Sequence, residues 1–204
     1  VFGEDPASVR GELEERFDAA GEPVSVFEVP TGPPSIPGTR LRDRLRHALE
    51  DAGVELVTGV PVVDFEADGS QIESVVVDRN GARIPYAPEQ VVLATGGLVG
   101  EGIDAERDRV YEPVFDLHVP HPADRYDWSE EAAFGDHAFA RFGVRIDADG
   151  RALDADGAVA YENLRAAGAV VGGADTAMQK AASGVSLATG WRAGTRAATA
   201  VNQT

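Results

Sequence analysis

Two glycine-rich stretches have the composition of a loop that binds an anionic group. Thr95-Gly96-Gly97 follows the apolar run VVLA, and GGAD follows LRAAGAVV and precedes a segment of helical character. A bare backbone exposes its N–H groups, and a helix N-terminus adds positive partial charge, so such a loop suits a phosphate or another anion. Tight packing of a helix on a sheet also needs small residues, so the second stretch alone leaves both interpretations open.

The elements that must position these loops begin with two helices. Apolar residues recur every four positions over residues 8–20, which predicts the first. The second is expected to have Thr39 as its N-cap and to end at Gly53. Between them, the valines of residues 24–29 predict one short strand in a proline-rich stretch.

Residues 54–94 have the shorter period of β-strands. The runs are VELVTG, VVDFEAD, IESVVVDRN, ARIPY and QVVLATGG. Asp68-Gly69 and Asn80-Gly81 predict hairpin turns, because these residues tolerate positive φ. The result is an antiparallel meander that leads into Val91–Ala94, whose unbroken apolar pattern predicts a central parallel strand buried on both faces.

The later part of the chain has weaker patterns. Residues 100–149 are expected to be irregular and to lie on the surface. The stretch VRIDADG resembles the start of a calcium loop but lacks the glutamate that would close it, so a hairpin at Asp149-Gly150 is the favoured interpretation. An apolar strand is expected over Leu164–Val171, followed by the glycine turn and a final helix that begins at Ser183.

Composition narrows the class of function. The 204 residues include 35 acidic and 18 basic side chains, a net charge of −17, which repels nucleic-acid phosphates. Because the acids are interspersed with apolar residues, they indicate a solvated acidic surface suited to a high-salt cytoplasm. The absence of cysteine excludes disulfides, thiolate metal sites and cysteine nucleophiles, and no apolar run has the length of about 20 residues that a bilayer requires. The chain begins at Val1 without methionine, so we expect it to be part of a longer protein.

Four stretches carry a resemblance to a known family: PSIPGTRLRDRL, VVLATGG, FARFGV and NLRAAGAVVGGADTAMQKAASGVSLATGW. They make residues 34–200 similar to the C-terminal half of the B subunit of anaerobic glycerol-3-phosphate dehydrogenase, a flavoprotein of the fumarate reductase type, here from a halophilic archaeon. The resemblance implies an α/β class: the C-terminal part of an FAD/NAD(P)-binding fold, with parallel strands and a β-meander at residues 54–94. The G-x-G-x-x-G fingerprint occurs nowhere in the chain, so its N-terminal dinucleotide-binding segment is expected to be missing. Residues 1–33 are expected to belong to a substrate or cap domain, and residues 34–204 to the flavin domain.

The resemblance also implies a function. Such a subunit carries FMN or FAD and works with a catalytic A subunit and an iron-sulfur, membrane-associated C subunit. Together they oxidise glycerol 3-phosphate to dihydroxyacetone phosphate and pass electrons to a respiratory acceptor, in the cytoplasm at the inner face of the membrane. The present stretch alone is expected to be inactive. Two alternatives stay open: a non-catalytic scaffold subunit, and a fumarate reductase-like flavoprotein with another substrate.

Site residues follow from the same resemblance. In it, the loop glycines lie against the flavin, and N–H groups at the start of the last helix reach its pyrimidine edge. The cofactor-binding candidates are Thr95, Gly96, Gly97, Gly168, Gly172, Gly173, Asp175, Ser183, Gly184 and Val185. Ala169 stands where many relatives carry the acid that holds the ribityl chain, and Asp175 is the expected substitute. The substrate-phosphate candidates are Arg40, His118, His121 and Arg125, although most arginines in so acidic a chain are surface ion-pair partners. The pattern identifies no catalytic residue and no metal-ligand spacing.

Overall fold

A computed structural model describes residues 5–27, 29 and 35–203. The chain forms two compact units, Val1–Gly59 and Val60–Thr204. The boundary lies after Gly59, whereas the sequence placed the end of a cap segment at residue 33. That this segment serves as a cap stays a prediction.

The first unit contains two helices, α1 (Pro6–Ala19) and α2 (Ile36–Asp51). Both were expected, but α2 begins earlier than predicted. Its N-cap is Ser35, whose Oγ accepts the Gly38 N–H at 3.2 Å, whereas Thr39 lies within the first turn. Pro37 lies in the first turn, where a helix leaves N–H groups without partners, so it is compatible with a helix that begins directly after Ser35. The helix ends before Gly53, which has a φ of 73°, as predicted.

The strand expected at residues 24–29 is wrong for the part that the structure describes. Residues 24–27 and 29 belong to no strand. Their valines lie near prolines, which remove the N–H groups that a strand pair needs.

The second unit holds the sheets and the last helix. Its described strands are β1 (Val62–Asp68), β2 (Gln71–Arg79), β3 (Ala82–Tyr86), β4 (Val91–Leu93), β5 (Asp104–Ala105), β6 (Val110–Glu112), β7 (Leu117–His118) and β8 (Leu164–Ala166). Short 3₁₀ turns occur at Leu98–Gly100, Arg125–Trp128, Ala138–Arg141 and Gly168–Val170. Helix α3 spans Ala182–Val201.

Strands β1, β2 and β3 form the predicted antiparallel meander. Gly69 turns the first hairpin at a φ of 57°, and Asn80 and Gly81 turn the second at 53° and 85°. Both predicted hairpins are therefore confirmed. The run VELVTG, at residues 54–59, forms no strand.

Strands β4 and β8 pair in parallel, with Val91 opposite Leu164 and Leu93 opposite Ala166. The parallel arrangement was predicted, but burial on both faces is wrong, because the Val92 side chain is 41% exposed. The last strand also ends earlier than expected, since Gly168 adopts a φ of 77° and turns the chain into a 3₁₀ helix.

The stretch expected to be irregular and superficial contributes much of the core. Strands β5, β6 and β7 form a small antiparallel sheet. The buried apolar side chains of this region are Ile103, Val110, Phe115, Leu117, Val119, Phe142 and Val144. Strands of two or three residues are too short for alternation to show in the sequence, so their burial depends on tertiary contacts. The predicted hairpin near Gly150 is confirmed by the antiparallel pairing of Ile146 with Ala152.

Asn163 joins the meander to the parallel pair and is only 2% exposed. Its Oδ1 accepts the Ile72 N–H at 2.9 Å, and its Nδ2 donates to the Ile72 carbonyl at 2.8 Å. Its own carbonyl accepts the Val91 N–H at 2.8 Å. One amide side chain thus sets the start of β2 against the start of β8.

Candidate functional site

The structure brings the two glycine stretches together. Because β4 and β8 are parallel neighbours, their carboxyl ends open at the same edge, which is where open α/β sheets bind ligands. Thr95, Gly96 and Gly97 follow β4, and the 3₁₀ turn Gly168–Val170 follows β8. A Cβ on Gly97 would lie 3.0 Å from the Ala169 carbonyl oxygen.

Some of these glycines are needed for backbone packing. A Cβ on Gly172 would lie 2.6 Å from the Gly143 oxygen and 2.9 Å from the Arg141 oxygen. A Cβ on Gly143 would lie 2.4 Å from the Gly172 nitrogen. Backbone packing therefore favours glycine at both positions. The packing interpretation was left open for the second stretch, which includes Gly172, and a cofactor role for either glycine stays a prediction. Gly143, their partner, was not singled out, although it stands within FARFGV.

Other glycines face open space. Gly173 has a φ of 94°, and a Cβ there would meet no heavy atom within 4 Å. Gly184, in the first turn of α3, is equally open. At these two positions the backbone itself is accessible to a ligand.

The N-terminus of α3 supplies hydrogen-bond donors. Its N-cap is Ala181, which has no side chain that could accept a hydrogen bond. Val185 donates its N–H to the Ala181 carbonyl at 2.8 Å, so this N–H is engaged within the helix, and a role of Val185 toward a cofactor stays a prediction. The N–H groups of residues 182–184 have no acceptor among the described residues. They form the positive end of a 20-residue helix.

Thr189 fixes the loop to the helix and was missed by the sequence interpretation. Its Oγ1 accepts the Gly168 N–H at 2.8 Å and donates to the Val185 carbonyl at 2.6 Å. A helical threonine commonly bonds a carbonyl four residues back, so its type gave no distinctive signal. The contact holds the turn after β8 at a set position beside the start of α3.

Asp175 is 6% exposed and organises the segment before the helix. Its Oδ1 accepts the Met178 N–H at 2.9 Å, and its carbonyl accepts the Gln179 N–H at 3.0 Å. One carboxylate oxygen is thus engaged in the turn. Asp175 is also one of the residues that line a cavity of about 360 Å³.

A family model for the FAD binding domain matches residues 10–185. The chain belongs to the FAD binding domain family. The sequence resemblance left FMN and FAD as alternatives, and this family is named for FAD. The match agrees with the mixed α/β architecture, in which a parallel strand pair accompanies antiparallel sheets.

Several proteins with names align with most of this chain. It is 56% identical over 203 residues to a probable B subunit of anaerobic glycerol-3-phosphate dehydrogenase from Halobacterium salinarum, an alignment that covers 99% of the chain and 46% of the relative. The B subunit of anaerobic glycerol-3-phosphate dehydrogenase from Yersinia enterocolitica is 38% identical over 86% of the chain and 40% of the relative. The protein of the same name from Aliivibrio fischeri is 30% identical over 83% of the chain and 39% of the relative. The chain spans about half the length of the curated relatives it matches, or less. No solved structure matches it.

The open part of the site fits the flavin expected for this family. Gly173 and Gly184 leave space at the backbone, and the uncapped N–H groups of residues 182–184 can donate to carbonyl or phosphate oxygens. Gly97 and Gly172 contribute indirectly, because protein backbone fills the space of their missing side chains and lets the loops approach each other.

The four candidates for substrate binding have different neighbours in the structure. His118 and His121 are brought together, with ring centroids 6.3 Å apart, and His121 packs edge-on against Trp128 at 5.6 Å. The Arg125 guanidinium lies 5.9 Å from the Tyr126 ring centroid, and Arg40 lies on α2 in the first unit. Their roles toward a substrate stay predictions.

Arg165, on β8, is a buried cation that the sequence analysis did not consider. It is 6% exposed, and its guanidinium donates to the Gln90 side-chain oxygen. Its Nε has no acceptor among the described residues, and burial lowers the pKa of the guanidinium.

The helices described here include none with the length and hydropathy of a bilayer-spanning segment.

Proposed function

We propose that this chain is part of the B subunit of a flavin-dependent anaerobic glycerol-3-phosphate dehydrogenase. The observation that carries the proposal is the 56% identity over nearly the whole chain to a relative of that name, combined with the FAD binding domain match. The assembled enzyme would oxidise glycerol 3-phosphate to dihydroxyacetone phosphate and pass electrons to a respiratory acceptor.

Flavin, when bound, supplies the capacity to accept a hydride or electrons from the substrate. The chain would hold it with the N–H groups of residues 182–184, which have no acceptor among the described residues, in the space that Gly173 and Gly184 leave open. The positive end of α3 favours negative charge at its N-terminus, which would raise the reduction potential of a group bound there. Thr189 keeps the Gly168 turn in place while a ligand binds.

Partners and location belong to the same proposal. The relatives are named as subunits, which supports an assembly. We assign a catalytic A subunit and an iron-sulfur C subunit as partners, with the complex on the cytoplasmic side of the membrane. His118, His121 and Arg125 are the proposed phosphate contacts, all within the second unit. The substrate role predicted for Arg40, on α2, stays a separate proposal.

The test is flavin binding by the intact subunit, followed by anaerobic addition of glycerol 3-phosphate. We expect a flavin absorption spectrum that bleaches with this substrate. Gly184→Leu should weaken flavin binding about tenfold or more by covering the free N–H groups. Gly194→Leu is the matched control, because Gly194 is also an open glycine on α3 but lies ten residues farther along the helix. Equal flavin content in both variants would contradict the assignment.

One observation favours the scaffold alternative. Ala169, at the position where relatives of this fold are expected to carry an acid, packs its carbonyl against Gly97 and offers no side-chain acceptor. A folded, colourless intact subunit would support a scaffold that joins the other two. A flavin that binds but does not respond to glycerol 3-phosphate would instead support a related enzyme with another substrate.

A further inference from the structure

Helix α2 carries an exposed row of leucines. Leu41, Leu45 and Leu49 are four residues apart and therefore lie on one side of the helix. Their side chains are 59%, 56% and 39% exposed, so this row, here called the leucine row, is open to solvent. An apolar row with helical spacing ordinarily packs against a core. The side of α2 that is best suited to burial is thus the side that faces water.

The first unit covers the other side of α2 in part. Ile36, Thr39 and Arg40 are half-buried, and their positions on the helix place them opposite the leucine row. Between residues 5 and 59, no residue whose burial the structure describes is fully buried. The described part of the first unit therefore has no core that could take up the leucine row.

A tight turn leads from α2 into the run VELVTG at residues 54–59. Gly53 has a φ of 73°, and its N–H donates to the Glu50 carbonyl at 2.9 Å. The Val54 N–H reaches back to the Leu49 carbonyl at 2.9 Å. These two bonds form the Schellman motif, and a glycine at this place is typical of the loop that joins a helix to a following strand.

The run after the turn has the composition of a strand but has no pairing partner in the described structure. Val54, Leu56 and Val57 are apolar, as in a strand, and are 42–47% exposed. The N–H groups of residues 55–58 have no acceptor among the described residues. An apolar strand with unpaired backbone is a surface on which another strand can pair.

A helix that is followed by a strand after such a turn packs across the sheet that contains the strand. The described residues of the first unit include no strand that could belong to that sheet. The next strand of the chain, β1, pairs with β2 in the antiparallel meander. The partner of residues 54–59 must therefore come from outside the described first unit, and it is expected to be parallel, since a helix connects the two strands of such a unit.

The aligned relatives are longer than this chain. The Halobacterium salinarum relative aligns with 99% of the chain, including α2 and the run after it, but this region is 46% of the relative. More than half of the relative thus lies outside, which is enough for a further domain. Parallel pairing also occurs in the second unit, where β4 and β8 form a sheet of only two strands and Val92 is exposed. Because parallel sheets are ordinarily covered on both faces, this sheet too is incomplete in the present chain.

We propose that residues 54–59 form a strand in the intact subunit, in a parallel sheet supplied by the part of the subunit outside this chain, and that the leucine row covers one face of that sheet. The contact lies within one subunit. Burial of three leucines and the pairing of four free N–H groups stabilise it. The proposal concerns the folding of the subunit and requires neither flavin nor substrate, so its failure is distinguishable from failure of the proposed function.

The experiment is backbone hydrogen exchange of the intact subunit, followed by mass spectrometry in high salt. We expect the amides of residues 55–58 to exchange about 100-fold or more slowly than in an unstructured peptide, because strand pairing gives their N–H groups acceptors. Exchange within a few-fold of the unstructured rate would overturn the proposal. The β2 amides, which pair with strands on both sides, provide the internal reference for a protected strand.

Leu45→Glu tests the leucine row. The substitution places a charge against the proposed sheet and should reduce the protection of residues 55–58 about tenfold or more. His47→Glu is the matched control, because His47 is exposed on the opposite side of the same helix and the same charge is introduced. Equal protection in the two variants would contradict the role of the row. If Leu45→Glu does not fold, Leu45→Ala makes the same comparison with a smaller change.

Two further measurements identify the occupant. Protection that falls when the subunit is diluted from about 10 μM to 0.1 μM would mean that a second copy supplies the sheet. Protection that appears only after the other subunits of the assembly are added would mean that one of them does. Either result would overturn the proposal, whereas protection that is independent of dilution in the isolated intact subunit would support it.

Discussion

Gly143→Ala tests whether the glycines at this edge of the sheet are there for backbone packing. A Cβ at residue 143 would lie 2.4 Å from the Gly172 nitrogen, 2.6 Å from the Val170 oxygen and 2.7 Å from the Gly172 Cα. All three are backbone atoms, so no side chain can rotate away. The strand-like contacts there, Val144 N–H to Val170 O at 2.8 Å and Gly172 N–H to Val144 O at 3.0 Å, would have to open.

Overpacking of this kind typically costs about 1–3 kcal/mol. Three backbone contacts below 3 Å place Gly143→Ala at the upper end, about 3 kcal/mol, which corresponds to a fall in Tm of roughly 6–12 °C for a domain of this size. The assay is urea and thermal unfolding followed by circular dichroism in high salt.

Gly194→Ala provides the control with the opposite sign. Residue 194 lies within α3 in open space, and alanine in a helix interior is about 0.5–1 kcal/mol more favourable than glycine. We therefore expect one variant to lose stability and the other to gain it. A Gly143→Ala protein within about 0.5 kcal/mol of the parent would refute the packing argument.

Three further predictions concern stability. Asn163→Ala leaves the buried N–H and carbonyl of Ile72 without partners and should lower the free energy of unfolding by about 2–4 kcal/mol in urea titrations; a loss below about 1 kcal/mol would show that water replaces the amide. Burial raises the pKa of Glu112 above its ordinary value of about 4.3, although two backbone N–H groups oppose the shift. The contribution of Glu112 to the free energy of unfolding is therefore full below that ordinary value and is lost as pH rises through the pKa of the folded protein. Glu112→Gln should accordingly flatten the pH dependence of the unfolding free energy, and an unchanged slope would contradict this. Because salt screens the repulsion within a chain of net charge −17, the urea midpoint should rise between about 0.1 M and 1 M KCl, as the Debye length falls from about 10 to 3 Å. A falling midpoint would mean that the loss of attraction in the exposed ion pairs is the larger effect.

The sequence alone was sufficient to predict those elements that depend on a short run of residue types. The Asn80-Gly81 turn adopts the positive φ values that its residue types favour, and the strands beside it pair as expected. Helices α1 and α2 have the predicted locations, with the start of α2 moved to Ser35 by an unrecognised cap. The family match likewise agrees with the resemblance carried by the glycine stretches.

Residues 100–149 could not be predicted in the same way. Val110 and Leu117 are 2–3% exposed, yet each belongs to a strand of only two or three residues. Such a strand has too few residues for a period, and its burial arises from neighbours distant in sequence. Phe115, for example, packs against Phe65 of the meander with ring centroids 5.0 Å apart.

The sequence by itself determined that two glycine stretches follow apolar strands and that a helix begins after the second. Tertiary structure decided what each glycine does. Gly143 and Gly173 are the same residue type in similar surroundings of the sequence, but a Cβ on the first would lie 2.4 Å from backbone, whereas a Cβ on the second would meet open space. The difference depends on which distant segment passes beside each one, because a glycine specifies the absence of a side chain and leaves the identity of what fills that space to the fold.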